Sequence, residues 1–498
     1  MSYEINPSSF NLAQYVLARG ARSPDKIALS LLYEDHTEEW RYDRLIASVR
    51  GIAAGLLQSG LVAGDIVLMR LGNTPDFPLA YLGALAAGLV PVPTSSALTQ
   101  AEVAGMIATL APRAVLLDPV VACPAHDNII PLSELRTMRD LPPADWHLGQ
   151  AERPGYIVFT SGTSGKPAAV LHAHRAILAR RMMFDGWYGL GPEDRMLHAG
   201  AFNWTYTLGT GLMDPWTVGA TALIPAPGTA PADLPALLRT HRATLFAAAP
   251  GVFRQILASD ADMALPDLRH GLSAGEKMAT PVRAAWERAT DRQVYEAFGM
   301  SECSTFISSC PSRPAQGSAV GCAQQGRKVA ILDAAGPVAD GTPGTIAIDC
   351  NDPGLMLGYF GAPDETAKRF QGQWFLTGDQ GVRDSDGQIT YLGRADDMMN
   401  AGGFRVSPLE VEAALATIPG VSGIGVAEVE VKPDVHVIAA FYTGPAPLDD
   451  AALQAYAKDK LARYKQPRLY IHLPELPTGA NGKLQRRALR VAFEASRT

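Results

Sequence analysis

Tyr156–His174 reads YIVFTSGTSGKPAAVLHAH: an apolar, strand-like opening, a polar glycine-bearing run, and a return to apolar residues. The run Thr160, Ser161, Gly162, Thr163, Ser164, Gly165 and Lys166 holds four hydroxyls, two glycines and one cation. A loop of this kind after a buried strand brings unobstructed backbone N–H groups and a positive charge around a phosphate. A Walker A loop requires Gly-x-x-x-x-Gly-Lys-Ser/Thr. Here Thr160 stands where its first glycine belongs and Pro167 where its magnesium-binding hydroxyl belongs, so that motif is excluded. Two readings stay open on this segment alone: a clamp over a polyphosphate, or a solvated turn between two strands. Other segments must decide.

Working outward, helical periodicity in YDRLIASVRGIAAGLLQSGL and DFPLAYLGALAAGLV alternates with the short apolar runs IVLMRL, VPVP and AVLLD. That is the rhythm of βα units on a parallel sheet. It resumes in ATLFAAAP, GVFRQILAS, LRHGLSAGE and VYEAFGMSE, where strands end in small residues followed by a polar group. Open α/β sheets place their chemistry at such strand ends. After about residue 320, GRKVAILDAAGPVADGTPGTIAIDC and GQWFLTGDQGVRDSDGQITYLGR predict a small β-rich subdomain. The charged link GRADDMMNAGG follows, then SPLEVEAALATI, VSGIGVAEVE, DVHVIAAFYT and DDAALQAYAKDKLARY predict a helix, two strands and a helix. The expected fold class is therefore α/β: a large N-terminal domain of parallel βα sheets with a small β-rich subdomain, residues 1–395, then a small α+β C-terminal domain, residues 396–498.

The bulk numbers agree with two domains, since 498 residues exceed what one hydrophobic core organises. A composition 47% hydrophobic and 19% charged is that of an ordinary globular protein. A net charge of −7 supplies no basic field, which excludes a nucleic-acid binder working by broad phosphate neutralisation. Five cysteines, never spaced Cys-x-x-Cys, exclude a disulfide framework and a zinc knuckle and predict a reducing cytoplasm. The opening MSYEINPSSF shows no basic-then-apolar signal pattern. The uncharged run from Ala199 to Met213 is too short for a membrane span and ends at Asp214 and Pro215, so it reads as a pocket wall or buried core. Neither nucleic acid nor membrane is an expected partner, and a monomer and a homodimer both fit.

Several separated segments match one pattern: WRYDRLIASVRGIAAGLLQSGLVAGDIVLMRLGN, YIVFTSGTSGKP, SAGEKM, YEAFGMSE, LTGD, YLGRADDMMNAGGFRVSPLEVE and YKQPRLYIHLPELPTGANGKLQRR. In this order they resemble the adenylate-forming superfamily of acyl- and aryl-CoA synthetases, adenylation domains and luciferases, with the benzoate-CoA and acyl-CoA ligase branch nearest. The resemblance covers almost the whole chain. It implies ATP, Mg²⁺ and coenzyme A as cofactors, a small-molecule carboxylic acid as substrate, and a mobile C-terminal domain.

What the resemblance implies for single residues agrees with their chemistry. The loop Thr160–Lys166 would grip the β- and γ-phosphates. Glu302 is a hard oxygen ligand suited to a Mg²⁺ that bridges phosphate oxygens, and Ser301 offers its hydroxyl near the α-phosphate. Asp379 can accept from both ribose hydroxyls. Gly275, Glu276, Lys277 and the backbone of Glu296, Ala297 and Phe298 would flank the adenine, where a flat ring needs close backbone approach. Arg394 is a permanently charged fork matched to phosphate. Lys483 would swing in to touch the substrate carboxylate and the α-phosphate, stabilising charge as the carboxylate attacks phosphorus. Asp396 would be the hinge about which the C-terminal domain turns, exchanging Lys483 for Gly402 and Gly403, whose bare backbone admits a pantetheine thiol. The pattern is broken at Thr478 and Gly479, where a basic residue and a threonine are usual, and at Asn400, where a lysine is usual.

For the acid, Phe202, Asn203, Trp204, Ser273 and Met300 are the implied pocket residues, with Tyr206 and Phe253 nearby; core packing is the competing reading for the aromatics. Asn203 falls where amino-acid-activating relatives place an aspartate, and it cannot supply that charge. An aromatic or short to medium-chain carboxylic acid is expected. The expected activity is that of an AMP-forming carboxylate–CoA ligase, an acid–thiol ligase. Two alternatives are an adenylation enzyme that loads a carrier-protein phosphopantetheine and a non-catalytic nucleotide-binding regulator. The joint presence of Lys483, Glu302, Asp379 and Arg394 argues against the second.

Overall fold

The computed structural model describes residues 7–160, 168–401, 404–432, 435–479 and 484–495. They pack as two units. The first comprises Met1–Ala315, Val320–Lys328 and Asp349–Trp374, and the second Gln316–Ala319, Val329–Ile348 and Phe375–Thr498.

In the first unit, the βα rhythm folds as expected. Its early strands are β1 (Ile27–Leu32), β2 (Thr37–Arg41), β3 (Ile66–Arg70), β4 (Val90–Pro93), β5 (Ala114–Leu117) and β6 (Ile129–Pro131). Strands β4, β3, β5 and β6 lie side by side, all parallel. The helices Tyr42–Gln58, Asp76–Ala86 and Gln100–Leu110 connect and cover them. The last of these starts on a capping box, Thr99 with Glu102, and stops where Ala111 turns left-handed at φ 43°. Each apolar run is buried on both faces, which is why it reads as a continuous rather than an alternating pattern.

The strand-like opening of the polar run is β7 (Pro154–Thr160), and the apolar return is β8 (Ala168–Ala173). They pair antiparallel, with Thr160 opposite Ala168. Residues 161–167 between them lie outside the described residues.

The remaining strands of the first unit's main sheet are β9 (Arg195–His198), β10 (Thr221–Pro225), β11 (Leu245–Ala248), β12 (His270–Ala274), β13 (Val294–Met300), β14 (Ser304–Ser308) and β15 (Gly321–Ala323). The order is β2-β1-β10-β9-β11-β12-β13-β14-β15. From β1 to β13 neighbours are parallel; β2, β14 and β15 run against their neighbours. Phe246, Phe253 and Trp286 fill one face, and Trp187, Tyr188 and Tyr295 the other. The second half of the uncharged run is buried core, a π-helical segment, Thr207–Met213, in which every residue is buried; before it Thr205 is exposed and Asn203, Trp204 and Tyr206 are partly buried. Among the described residues no helix is long and apolar enough to cross a membrane.

The second unit carries the β-rich segment, including the antiparallel strands Trp374–Arg383 and Gln388–Arg394. Beyond them come the expected helix Pro408–Leu415, the paired strands Gly423–Lys432 and Val435–Thr443, and the helix Asp450–Lys460. A third strand, Leu469–His472, adds parallel to Val435–Thr443, and the helix Arg486–Ala495 follows. Their core is Val411, Leu415, Val426, Ile438, Tyr442 and Leu453.

Candidate active site

The carboxyl ends of β12 and β13 bring together most of the expected residues that are described in the first unit, as open parallel sheets do. Ser273 is fully buried near the end of β12 opposite Glu296, and its hydroxyl has no hydrogen-bond partner among the described residues. Gly275 follows at φ +98°, a conformation that strains any side-chain-bearing residue. A Cβ there would stand 3.8 Å from Trp204 Cζ2, so the indole lies against this bend. Ala297 and Phe298 pair across to Ser308 and Ile307 of β14, and the Phe298 ring meets Phe306 edge-on.

Glu296 contributes more than backbone. Its carboxylate accepts from the amide of Met278 at 2.6 Å and pairs with Arg283, which ties the Gly275–Met278 bend to β13. Burial pushes the Glu296 carboxyl above the usual range, opposed by Arg283 and the Met278 amide. Burial also lowers the Lys277 ammonium, with Glu296 pulling the other way.

Past β13 the chain makes a tight turn through Ser301, Glu302 and Cys303 into β14. Gly299 makes the turn possible, because a Cβ there would stand 2.3 Å from the Ser304 carbonyl oxygen. His172 of β8 donates from Nε2 to the Ser301 carbonyl at 2.7 Å. Burial depresses that imidazole to about 4, so it is neutral, and the carbonyl fixes its Nε2–H tautomer. Glu302 is 8% exposed; its carbonyl accepts from the Met356 amide, and its Oε1 accepts from the Tyr359 hydroxyl at 2.8 Å. Cys303 and Arg327 both contact the Asp352 carboxylate. Ser301 itself is exposed. The turn thus presents one hydroxyl and one held carboxylate.

That donor set fits a magnesium ion shared with a nucleotide. Among the described residues no three His, Cys, Asp or Glu side chains gather into a metal cage. Mg²⁺ is commonly held by one or two carboxylates plus substrate phosphates.

The acid-pocket residues divide. Phe202 is fully buried in the main core, and its amide donates to Asn73 Oδ1 at 2.6 Å. Phe253 is likewise core, packed on Phe246 and Trp286. Asn203 donates to Ser96 Oγ at 3.2 Å. Trp204, Tyr206 and His198 form an edge-to-face ring cluster, with His198 and Tyr206 centroids 4.5 Å apart. Burial holds the His198 imidazole neutral, near 3.

In the second unit, Asp379 and Arg394 stand directly opposite each other on paired strands. The guanidinium lies 3.5 Å from Asp379 Oδ2 and 3.5 Å from Asp396 Oδ1. Burial works against its charge, but Asp379 and Asp396 outweigh burial and raise its pKa. Tyr391 donates to Asp379 Oδ1 at 3.3 Å. The cross-strand pair therefore holds a carboxylate, a phenol and a fixed cation in one patch. Ser161, Gly162, Thr163, Ser164, Gly165, Lys166, Gly402, Gly403 and Lys483 lie outside the described residues.

Sequence reasoning did not find Arg283, Tyr359, His172, Tyr391 or the buried pair Arg180–Asp214. Each acts through a partner distant in the chain and has no local pattern of its own. An arginine closing an otherwise apolar helix, AILAR, is the one signal that was available.

Residues 17–360 match the AMP-binding enzyme family and residues 410–483 its C-terminal domain. The chain is 29% identical over 486 residues to the 3-hydroxybenzoate–CoA ligase of Aromatoleum sp. (strain CIB), covering 92% of each protein. It is 28% identical over 530 residues to the mitochondrial acyl-coenzyme A synthetase ACSM3 of Pongo abelii, covering 97% of this chain and 90% of that one. The crystal structure of a benzoate CoA ligase from Burkholderia xenovorans LB400 superposes with a TM-score of 0.86 at 25% identity, over 97% of this chain and 100% of that one. With the family match spanning most of its length, this chain belongs to the AMP-binding enzyme family.

Proposed function

We propose that this chain is an AMP-forming carboxylate–CoA ligase acting on an aromatic or short to medium-chain acid. A carboxylate oxygen attacks the α-phosphorus of ATP, the bond to the β-phosphate breaks, and pyrophosphate leaves. The sulfur of coenzyme A then attacks the acyl carbon and AMP departs. The observation that carries this reading is the meeting of Ser301, Glu302 and the Gly275–Met278 bend at two adjacent strand ends, in a chain of this family.

In this reading the Gly275–Lys277 bend and the backbone of Glu296–Phe298 receive the adenine, and Asp379 receives the ribose. Arg394, neutralised on one side by Asp379, points its remaining charge at phosphate. Glu302 would hold Mg²⁺, which when bound would neutralise charge on the departing pyrophosphate. Thr160 to Lys166 hold the terminal phosphates and Lys483 the reacting carboxylate. Residues 396–498 then turn about Asp396, bringing Gly402 and Gly403 to the thiol. Trp204, beside Gly275, supports a ring-bearing acid, with Ser273 and Met300 at the same strand ends. None of the five cysteines forms a disulfide, which fits a reducing cytoplasm.

The test is pyrophosphate release across a panel of carboxylic acids, with and without coenzyme A. A CoA thioester from an aromatic or acyl acid supports the reading. Activation that coenzyme A cannot discharge supports carrier-protein loading instead, and no turnover with any acid overturns both. Lys483→Ala should abolish pyrophosphate release while leaving thioester formation from a supplied acyl-adenylate largely intact; equal loss of both half-reactions would refute the domain alternation.

A further inference from the structure

Ser304, the residue after the Ser301–Glu302–Cys303 turn, has φ +61°, in the left-handed region where a side-chain-bearing residue is strained. Such a conformation persists only where its surroundings over-determine it. Here its hydroxyl accepts from Arg180 Nη1 at 2.7 Å. Arg180 is itself fixed: Nε donates to Asp214 Oδ1 at 2.8 Å, and Nη2 to Asp214 Oδ2 at 2.6 Å and to Thr210 Oγ1 at 3.2 Å. Asp214 is fully buried and also accepts from the Tyr188 hydroxyl at 2.7 Å. Tyr188 and Thr210 belong to two separate π-helical segments, Phe184–Tyr188 and Thr207–Met213. Segments of that kind occur most often at functional sites. The second follows directly from the stretch that carries Phe202, Asn203 and Trp204.

We propose that Arg180 is a positioning residue: braced on Asp214, it fixes Ser304 and through it the Ser301–Glu302 turn, so that the segment receiving the acid and the turn receiving MgATP are held by one guanidinium. This rests on the function proposed above. Five N–H donors in a rigid plane suit the task, because three different acceptors can be bonded at fixed angles at once. The chain also makes room for it, since a Cβ at Gly209 would stand 2.5 Å from Arg180 Nη2. A buried ion pair that did no more than hold the core together would show the same contacts. The distinction lies at Ser304, which can be altered without breaking the Arg180–Asp214 pair.

The experiment compares the wild-type chain with Ser304→Gly and Ser304→Asn, measuring acid-dependent pyrophosphate release, KM for MgATP and for the acid, Mg²⁺ dependence and the thermal midpoint. Glycine adopts the left-handed conformation without strain but removes the acceptor; asparagine tolerates the conformation and restores one. We expect Ser304→Gly to keep the thermal midpoint within a few degrees while lowering kcat about tenfold and raising the Mg²⁺ requirement, with the acid KM within about twofold. Ser304→Asn should recover to within about threefold of wild type. Wild-type kcat and Mg²⁺ dependence in Ser304→Gly, or a loss that asparagine does not rescue, overturns the proposal. A wild-type chain that releases no pyrophosphate with any acid overturns the proposed function beneath it.

Discussion

Arg283→Leu isolates the clamp behind the Gly275–Met278 bend. Arg283 sits on the helix Thr280–Thr290, with its side chain 15% exposed, and pairs with Glu296, which is 3% exposed. Removing one partner of a buried pair leaves an uncompensated charge and costs about 3–5 kcal/mol; because Arg283 keeps some contact with water, about 3 kcal/mol is expected. Glu296→Gln keeps an acceptor for the Met278 amide and strands only the partly hydrated arginine, so about 1 kcal/mol is expected. The double variant should be more stable than Arg283→Leu alone. The pH dependence has a definite sign. Burial already raises the Glu296 carboxyl, and losing Arg283 raises it further. The folded state then binds a proton that the unfolded chain releases, so stability falls as pH rises from the unfolded carboxyl value through the folded one. The deficit should be larger at pH 8 than at pH 5.5. Denaturant midpoints followed by the fluorescence of the tryptophans, which include the fully buried Trp286 of the same helix, read this directly. The same variant should raise KM for ATP, and Glu296→Gln should raise it less. A pH-independent deficit, or a double variant no better than Arg283→Leu, would refute the reasoning.

Three further outcomes follow from the contacts of single side chains. Glu302→Gln should lower the rate of pyrophosphate release by about 10²-fold and raise the Mg²⁺ requirement, whereas Tyr359→Phe, which removes only the phenol on Oε1, should cost severalfold; unchanged Mg²⁺ titrations in both would sink the metal role. Ser407 caps the helix Pro408–Leu415 and also donates to the Leu392 carbonyl, a bond that spans the proposed hinge at Asp396. Ser407→Gly weakens the cap by only a few tenths of a kcal/mol and loses that donor, so the ratio of the two half-reaction rates should shift by about two- to tenfold, with stability lowered by about 1 kcal/mol; an unaltered ratio counts against a hinge there. Burial holds His172 near 4, His174 near 3, His198 near 3 and His270 near 4. These values lie below the unfolded imidazole value, so their contribution is complete above about pH 6.5 and is lost as pH falls, by roughly 1.4 kcal/mol per imidazole per pH unit. Denaturant midpoints should therefore drop between pH 7 and pH 5, and a flat profile would contradict neutral burial.

How far the sequence could be read depends on how local each signal is. The parallel strands were legible because burial on both faces leaves continuous apolar runs, and IVLMRL and AVLLD fold as β3 and β5. Glu302 and Asp379 were singled out because they sit inside ordered motifs, and the structure places one in the turn after β13 and the other opposite Arg394. Glu296 was read only through its backbone, since the value of its carboxylate depends on Arg283, which belongs to a different element. Tyr359 lies 57 residues from the Glu302 carboxylate it holds, and Arg180 lies 124 residues from Ser304. No periodicity records such a pairing. The stretch before Asp214 was legible as pocket wall or buried core, but its local conformation was not. A π-helix winds more slowly than an α-helix, so Thr207–Met213 matches neither the helical nor the alternating template. Its glycines also mislead, because glycine in a sequence suggests a turn or a left-handed backbone. Neither Gly209 nor Gly211 has positive φ. Each is there for space: a Cβ on Gly209 would press on the Arg180 guanidinium, and one on Gly211 would stand 2.7 Å from His198 Cβ. The two residues that need this room come from other parts of the fold, so the requirement becomes visible only once the chain has closed around them.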